Sequence, residues 1–399
     1  MEEWKEYKLG DVSTFSQGIQ VDIDKQYSEY KPGRVRFIRI VDFTKNGEPL
    51  RYIDKPRDKY LTLDGDIVMI RYGSQTAGLV AKSYDGAIAN NIFKIEFNND
   101  VISNEFGYYY LSQKSIFDYL RGAQSSSTMP AITFEIAGRV PLCLPTINIQ
   151  NDIVSILKSL DDKIEVNRKI NDNLEQQAQA LFKSWFVDFE PFQNGEFVES
   201  ELGMIPKGWR VGTLGEVLNL RKDSYKKGSD LTLPYMPIDI IPMHSLGVNE
   251  FKDNKEAHSS LQTFEKNDII IGAMRVYFHR VVIAPCKGIT RNTCFVLKPK
   301  NNIMWAYCIL ECNQDEAINY ANRTSKGSTM PYAVWENGFA NYSIVIPPDS
   351  VLEMFNLLVS PILEKIRDSY KESRRLAELR DTLLPKLMSG ELKVNEIEL

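Results

Sequence analysis

A phrase of nine residues occurs twice in this chain. Trp4-Lys5-Glu6-Tyr7-Lys8-Leu9-Gly10-Asp11-Val12 returns 205 residues on as Trp209-Arg210-Val211-Gly212-Thr213-Leu214-Gly215-Glu216-Val217, and Ser127-Thr128-Met129-Pro130 returns at an offset of 201 as Ser328-Thr329-Met330-Pro331. Two matches at nearly one offset mark an internal repeat half the chain long. Solenoid units run to about 20–50 residues. A longer repeat has enough sequence to close a core of its own. A chain of 399 residues is therefore expected to hold two similar domains.

The order of parts is the same in both copies. Arg36-Phe37-Ile38-Arg39-Ile40 alternates charged and apolar residues, the period of a half-buried strand. Gly65-Asp66-Ile67-Val68-Met69-Ile70 reads as a turn feeding an apolar strand, and Asn267-Asp268-Ile269-Ile270-Ile271 answers it. Asn90-Asn91-Ile92-Phe93-Lys94-Ile95 is answered by Arg291-Asn292-Thr293-Cys294-Phe295-Val296. Short amphipathic helices are expected near Asn104–Leu120 and Met304–Asn322, and Pro-punctuated strands at Val140–Pro145 and Ile344–Pro348 close the copies.

A long helix is expected after each closing proline. Ile153, Ile156, Leu160, Ile170, Leu174 and Leu181 fall on steps of three and four, a heptad seam, with no Pro or Gly between Ile149 and Phe186. That segment would be on the order of 50–55 Å long. Leu352, Phe355, Val359, Ile362, Ile366, Leu376 and Leu383 form a comparable seam, with Pro361 expected to kink it or restart it, and Pro385 and Gly390 to end it. A one-sided apolar stripe of this length must be covered, and the other helix is the economical cover. Asn167, Gln177, Ser369 and Ser373 are read as polar seam positions, which cost stability but fix register. Paired helices would run antiparallel, giving two heads on a two-helix spacer with an approximate two-fold axis, the symmetry of a DNA dyad.

Catalytic chemistry is not legible. The chain has no phosphate loop, no G-x-G-x-x-G and no Asn-Pro-Pro-aromatic motif. Its three histidines (His244, His258, His279) all lie in the second copy, so a catalytic histidine would leave the first copy without one. Asp161-Asp162-Lys163, a nuclease-like triplet, falls on the expected helix and reads as a solvated face. Of Cys286, Cys294, Cys308 and Cys312 only the last two are close, and zinc sites use close pairs on turns, so buried apolar side chains are expected rather than a metal. No run reaches the roughly 20 apolar residues of a membrane span. Met1-Glu2-Glu3-Trp4-Lys5 does not open a secretory signal, and five irregularly spaced cysteines suit a reducing compartment, so a cytoplasmic protein is expected. A net charge of −5 leaves nucleic-acid binding open, since clustering of basic residues decides it.

Polar loops follow the apolar strands: Arg71, Tyr72, Gly73, Ser74 and Gln75 in the first copy, and Arg275, Tyr277, His279 and Arg280 in the second. Arginine pairs with guanine through two hydrogen bonds, Gln and Asn with adenine, and Gly admits backbone to a groove. Asn90 and Arg291, before the next strand, join these candidates for DNA contact. This region differs most between the copies while its flanks stay alike, the pattern of two readers on one frame.

With the Trp4 and Trp209 openings, the Gly65-Asp66-Ile67-Val68 strand, the Asn91 and Asn292 positions, Val140-Pro141-Leu142-Cys143-Leu144-Pro145 followed by Gln150, and the helix ends Lys183–Pro191 and Leu379–Glu391, the chain resembles the DNA specificity subunit of a type I restriction–modification enzyme over nearly its whole length. The resemblance implies an α+β fold: two similar α/β target recognition domains separated by a long antiparallel two-helix coiled coil, a pseudo-two-fold internal repeat. The expected layout is a first recognition domain over residues 1–147, a central helix over 148–187, a linker over 188–205, a second recognition domain over 206–348, a C-terminal helix over 349–390 and a tail over 391–399. It further implies that each domain reads half of a bipartite site in double-stranded DNA and that the helices set the spacer. Ile153, Leu160, Leu174, Leu181, Trp185, Phe186, Leu352, Val359, Ile366 and Leu383 would pair the helices and dock partners. Those partners would be two methyltransferase and two motor-nuclease subunits, which would carry S-adenosylmethionine, ATP and Mg, with no cofactor on this chain. The second copy departs from the pattern in having Asn267 for Gly65 and Pro347-Pro348 with no following Gln. A type II-like specificity protein and a two-headed scaffold that does not touch DNA are the alternative readings.

Overall fold

The structure, a computed structural model, describes residues 4–45, 47–123, 131–258 and 260–396. Ser127-Thr128-Met129-Pro130, one side of the second repeat match, lies outside the described residues. The chain divides into two compact units: Met1–Asp161 with Leu379–Leu399, and Asp162–Glu378. Among the described residues no helix is long and apolar enough to cross a membrane.

The repeated nine-residue phrase is a structural device in both units. Strand Lys5–Lys8 runs antiparallel to Pro141–Leu144, and Arg210–Thr213 to Ser343–Ile346, so each domain's first strand clasps its last. A one-turn helix follows each opening strand, at Leu9–Val12 and Leu214–Val217. Its acidic residue caps it: the Lys8 amide donates to Asp11 Oδ2 at 3.0 Å and the Thr213 amide to Glu216 Oε1 at 2.9 Å. Leu9, Val12, Leu214 and Val217 are buried, and a Cβ on Gly10 would stand 3.3 Å from the Gly138 backbone. The letters shared by Leu9–Val12 and Leu214–Val217 thus each have a place in the turn.

Each unit carries a four-stranded antiparallel sheet of matching order. In the first unit it runs Ser13–Gln17, Ile92–Phe97, Ile67–Ile70, Val80–Lys82; in the second, Leu218–Leu220, Cys294–Pro299, Ile269–Gly272, Val281–Ile283. Ile67–Ile70 and Ile269–Gly272 are buried on both faces, which is why they read as unbroken apolar runs. A second sheet differs between units. The first has Arg51–Asp54, Arg34–Ile38, Gly86–Ile88 and Leu61–Thr62, with one parallel pairing; among the described residues the second has Ser224–Tyr225, Leu261–Phe264 and Gly288–Arg291. Each amphipathic helical region is two helices, Asn104–Leu111 with Lys114–Gly122 and Trp305–Cys312 with Asp315–Arg323.

The Gly65 departure is absorbed without distortion. Gly65 has φ 85° and Asn267 φ 72°, the same left-handed conformation, in which Asn is the most tolerated side chain after Gly. Asp66 Oδ2 then accepts from the Leu63 amide at 2.9 Å and Asp268 Oδ2 from the Glu265 amide at 2.7 Å, closing equivalent turns.

The two long helices run Ile147–Phe186 and Asp349–Met388. In the second unit Asn167 Nδ2 donates to Glu372 Oε2 at 2.9 Å and Ser373 Oγ at 3.3 Å, while the Phe182 and Phe186 rings meet Phe355, an antiparallel pairing. In the first unit Arg380 Nη1 donates to Asp161 Oδ1 at 2.6 Å. The seam differs in phase from its expected course. Ile153, Leu157, Leu160, Asn167, Asn171 and Ala178 are buried on steps of four, three and seven, whereas Ile170 is 37% exposed and Gln177 is exposed. The middle of the seam is polar, with Asn167, Asn171, Ser369 and Ser373 all buried, so a reading that follows apolar residues drifts onto the outer face there. Pro361 does not restart the second helix, which runs on through it, and Pro385 does not end it. Pro361 is exposed beside Leu357, itself 80% exposed, so the carbonyl it leaves unpaired sits on the solvent side. Asp161 is not on a solvated face, since Tyr109 Oη also donates to it at 2.6 Å. Burial and this carboxylate together hold the Tyr109 phenol far above its ordinary range.

Residues 188–205 are structured. Phe189, at φ 54°, leads into a turn of 3-10 helix at Glu190–Phe192, followed by a hairpin of Phe197–Ser200 with Gly203–Pro206. The Trp209 ring, 8% exposed, packs edge-on to Phe189 and Phe192 at 5.5 and 4.9 Å. The Trp of the repeated phrase is thus an anchor, as its large buried area suits it to be. Cys294, Cys308 and Cys312 are buried, and burial raises their thiol pKa values, consistent with inert apolar packing.

Candidate nucleic-acid interface

In the first domain the loop after Ile67–Ile70 is fixed by backbone hydrogen bonds. The Arg71 amide donates to Asn91 O at 2.8 Å, and the Arg71 carbonyl accepts from the Ile132 amide at 2.9 Å. The Arg71 guanidinium lies 5.2 Å from the Tyr72 ring centroid, and its Nε is buried with no partner, as is Asn91 Oδ1. Buried polar atoms without partners are uncommon. Gly73, at φ 123°, turns the loop, and Ser74 and Gln75 are exposed at its tip.

Asn90 stands elsewhere than beside this loop tip. Its Nδ2 donates to Gln20 Oε1, and both line a cleft of about 470 Å³ with Ser16, Gln17, Lys59 and Tyr60. This group of amide, hydroxyl and ammonium donors was not legible from sequence spacing. The nearest signal is Gly18: a Cβ there would lie 2.2 Å from the Ala89 carbonyl oxygen, so Gln17 and Gln20 flank a segment pressed onto the neighbouring strand. Lysine and amide side chains of this kind suit phosphate and base-edge contacts.

The second domain places its candidates differently. The Ala273 amide donates to Thr293 O and the Ala333 amide to Ala273 O, the bonds that Arg71 makes in the first domain. Arg71 therefore corresponds to Ala273, and Arg275 lies two residues further on. Arg275 is exposed with φ 51°, its amide donating to Pro331 O at 2.7 Å, and Tyr277 is 48% exposed on the 3-10 turn Val276–Phe278. Arg291 is exposed at the end of its strand.

Two candidates are corrected. His279 is 4% exposed, with Nε2 2.9 Å from Asn313 Oδ1 and Nδ1 3.1 Å from Asp315 Oδ1. It faces inward and is not a loop-tip reader. Arg280 is half-buried and donates to the carbonyls of Ile238 and Ile241; burial lowers its pKa, and its role is to hold the segment around Ile238–Ile240. Both were read as surface residues because their inward partners are remote in sequence.

The partner-docking candidates also need sorting. Ile153, Leu160, Phe186, Leu352, Val359, Ile366 and Leu383 are buried, and Leu174, Leu181 and Trp185 are half-buried, so most of these side chains are spent inside the chain. The apolar side chains that the long helices leave outward are others: Val166, Ile170, Met354, Leu357, Leu358 and Leu379, exposed by 37 to 80%.

The long helices also bond to the second domain. Glu175 Oε1 accepts from the Leu246 amide at 3.1 Å and from Ser245 Oγ at 3.2 Å, and Ser245 Oγ meets Tyr370 Oη at 2.7 Å. Burial pushes the Glu175 carboxyl up to about 7, against the pull of those two hydrogen bonds. Near it, Asp172, Gln176, His244, His279 and Asp315 line a cleft of about 570 Å³.

Two domains on one scaffold, with diverged loops after the same buried strand, define a chain built to present two different surfaces. The profile of the Type I restriction modification DNA specificity domain matches residues 1–176 and 206–351, and the chain belongs to that family as a type I restriction–modification specificity subunit. The MjaIX specificity subunit of Methanocaldococcus jannaschii is 30% identical over 334 residues, which cover 80% of this chain and 76% of that one. The HindI specificity subunit of Haemophilus influenzae is 26% identical over 98% of this chain and 100% of its own length. A crystal structure of the S subunit of a type I restriction–modification system from M. genitalium is similar in fold, with TM-score 0.57 and 18% identity over 97% of this chain and 96% of that chain.

Proposed function

We propose that this chain is the non-catalytic, cytoplasmic reader of a type I complex. Each domain reads one half of a bipartite site in double-stranded DNA. Arg71, Tyr72, Ser74 and Gln75, with the Asn90–Gln20–Lys59 cleft, serve the first half-site. Arg275, Tyr277 and Arg291 serve the second. The observation that carries this reading is the divergence of the loops after Ile67–Ile70 and Ile269–Gly272 on sheets of identical strand order. Outward apolar residues such as Met354, Leu357 and Leu358 suit docking of two methyltransferase subunits, with two motor-nuclease subunits joining for cleavage. S-adenosylmethionine, ATP and Mg would be held by those partners.

The test uses this chain assembled with its methyltransferase subunits. Methylated motifs are mapped in DNA exposed to the wild-type complex and to complexes carrying Arg71→Ala or Arg275→Ala. Each substitution is expected to relax one half of the motif, by about 1–3 kcal/mol where the arginine pairs with a base. Binding should weaken steeply with salt through phosphate contacts. Equal affinity for scrambled duplexes, or loss of both halves from one substitution, would contradict the reading.

A further inference from the structure

His244, His279 and Asp315 come from three segments distant in sequence, yet their ligand atoms all lie within 4.8 Å of one another. The His244 amide donates to His279 O at 2.9 Å, which locks two turns face to face, and the two imidazole rings stand 4.5 Å apart. Asp315 opens the helix Asp315–Arg323.

His279 Nε2 lies 2.9 Å from Asn313 Oδ1, and Nδ1 lies 3.1 Å from Asp315 Oδ1. With Nε2–H donating to Asn313, Nδ1 presents its lone pair toward Asp315, and one cation between them would be held by both. Pairing of His279 with Asp315 alone leaves the His244 ring unused; among the described residues that ring has no hydrogen bond. A metal ion uses all three donors. The Asn313 bond at the far nitrogen is also how metal-bound histidines are oriented.

We infer that His279 Nδ1, the His244 ring and Asp315 form a site for a divalent transition metal, zinc above all. Two imidazoles and a carboxylate suit zinc, whose ligands stand at about 2.0–2.2 Å. His244 and Asp315 are exposed, so their side chains are free to close the small remaining distance. The next coordination position opens on the cleft that holds Asp172 and Gln176. The first domain has no histidine, so the site belongs to the second alone. The metal would tie the His244 turn, the Arg275–Arg280 loop and the start of the helix Asp315–Arg323 together. It stands or falls independently of what that loop reads.

The test uses the full-length chain without a histidine tag, stripped of metal and titrated with Co(II) and then Zn(II). The expected result is one Co(II) per chain with ligand-field absorption, displacement by Zn(II), and a zinc-dependent rise in thermal midpoint. His244→Ala and Asp315→Ala, both at exposed positions, should weaken binding on the order of tenfold or more. His258→Ala should bind as wild type. Absence of saturable Co(II) uptake by the wild-type chain, or unchanged uptake in His244→Ala and Asp315→Ala, would overturn the site and leave an imidazolium–aspartate pair in its place.

Discussion

Gly65 and Asn267 show how one backbone requirement is met by two residues. Both hold a positive φ before the buried strand, and nothing lies within 4 Å of the position a Gly65 Cβ would take. Gly65→Ala should therefore cost about 1–2 kcal/mol from conformation alone, read as a lower urea midpoint; a neutral result would mean the turn relaxes. Asn267 adds what Gly cannot, since its side-chain oxygen accepts from Arg367. Glu311 is a second residue whose environment sets its chemistry. It is buried on the helix Trp305–Cys312, and burial pushes its carboxyl up to about 7. A carboxyl with a folded pKa above its unfolded value binds a proton more tightly when folded, so its contribution is full below about pH 4.5 and is lost as pH rises through 7. Glu311→Gln should flatten the stability–pH curve across that window and raise the thermal midpoint at pH 8; an unchanged slope would place the carboxylate in a better-solvated setting. At this scale sequence reading succeeded at Cys294, Cys308 and Cys312, expected as buried side chains and found so, while the capping roles of Asp11 and Glu216 emerged only from the structure. It failed at His279 and Arg280, whose surroundings are supplied by residues 313–315 and 238–241.

Among the elements, the long helices were the most legible and also the most instructive in error. Their existence followed from apolar spacing, and their phase did not, because the seam turns polar in its middle. Asn167, bonded to Glu372 and Ser373, is the register-setting residue of that stretch. Asn167→Ala removes a buried amide from the buried Ser373 hydroxyl and the half-exposed Glu372 and should cost about 1–3 kcal/mol, measured by urea unfolding of the full chain. Asn167→Leu should be less costly and should loosen register instead, seen as faster amide exchange in the paired segments. Equal loss of stability in both would argue that the position serves packing only. The strands were legible in the buried sheets, where apolar runs are unbroken. The second sheets were less so: Arg36–Ile40 reads as a strand and the strand is Arg34–Ile38, but the other short, half-exposed strands are set by pairing partners rather than by their own pattern.

On the scale of the molecule, the repeat separates what both domains need from what each does alone. Exchanging residues 206–348 for the corresponding domain of another specificity subunit should change one half of the methylated motif and keep the other, checked by motif mapping; a motif altered on both sides would contradict independent reading. The clasps between first and last strands make such exchange physically reasonable, since a domain enters and leaves at neighbouring strands. A second consequence concerns order. Residues from Leu379 onward belong to the same unit as the first domain, and Gly390 lies against the Trp4 ring. The first unit is therefore discontinuous in sequence: the segment that lies against Trp4 is translated after the whole of the second unit, so the first domain gains that cover only once the second has left the ribosome.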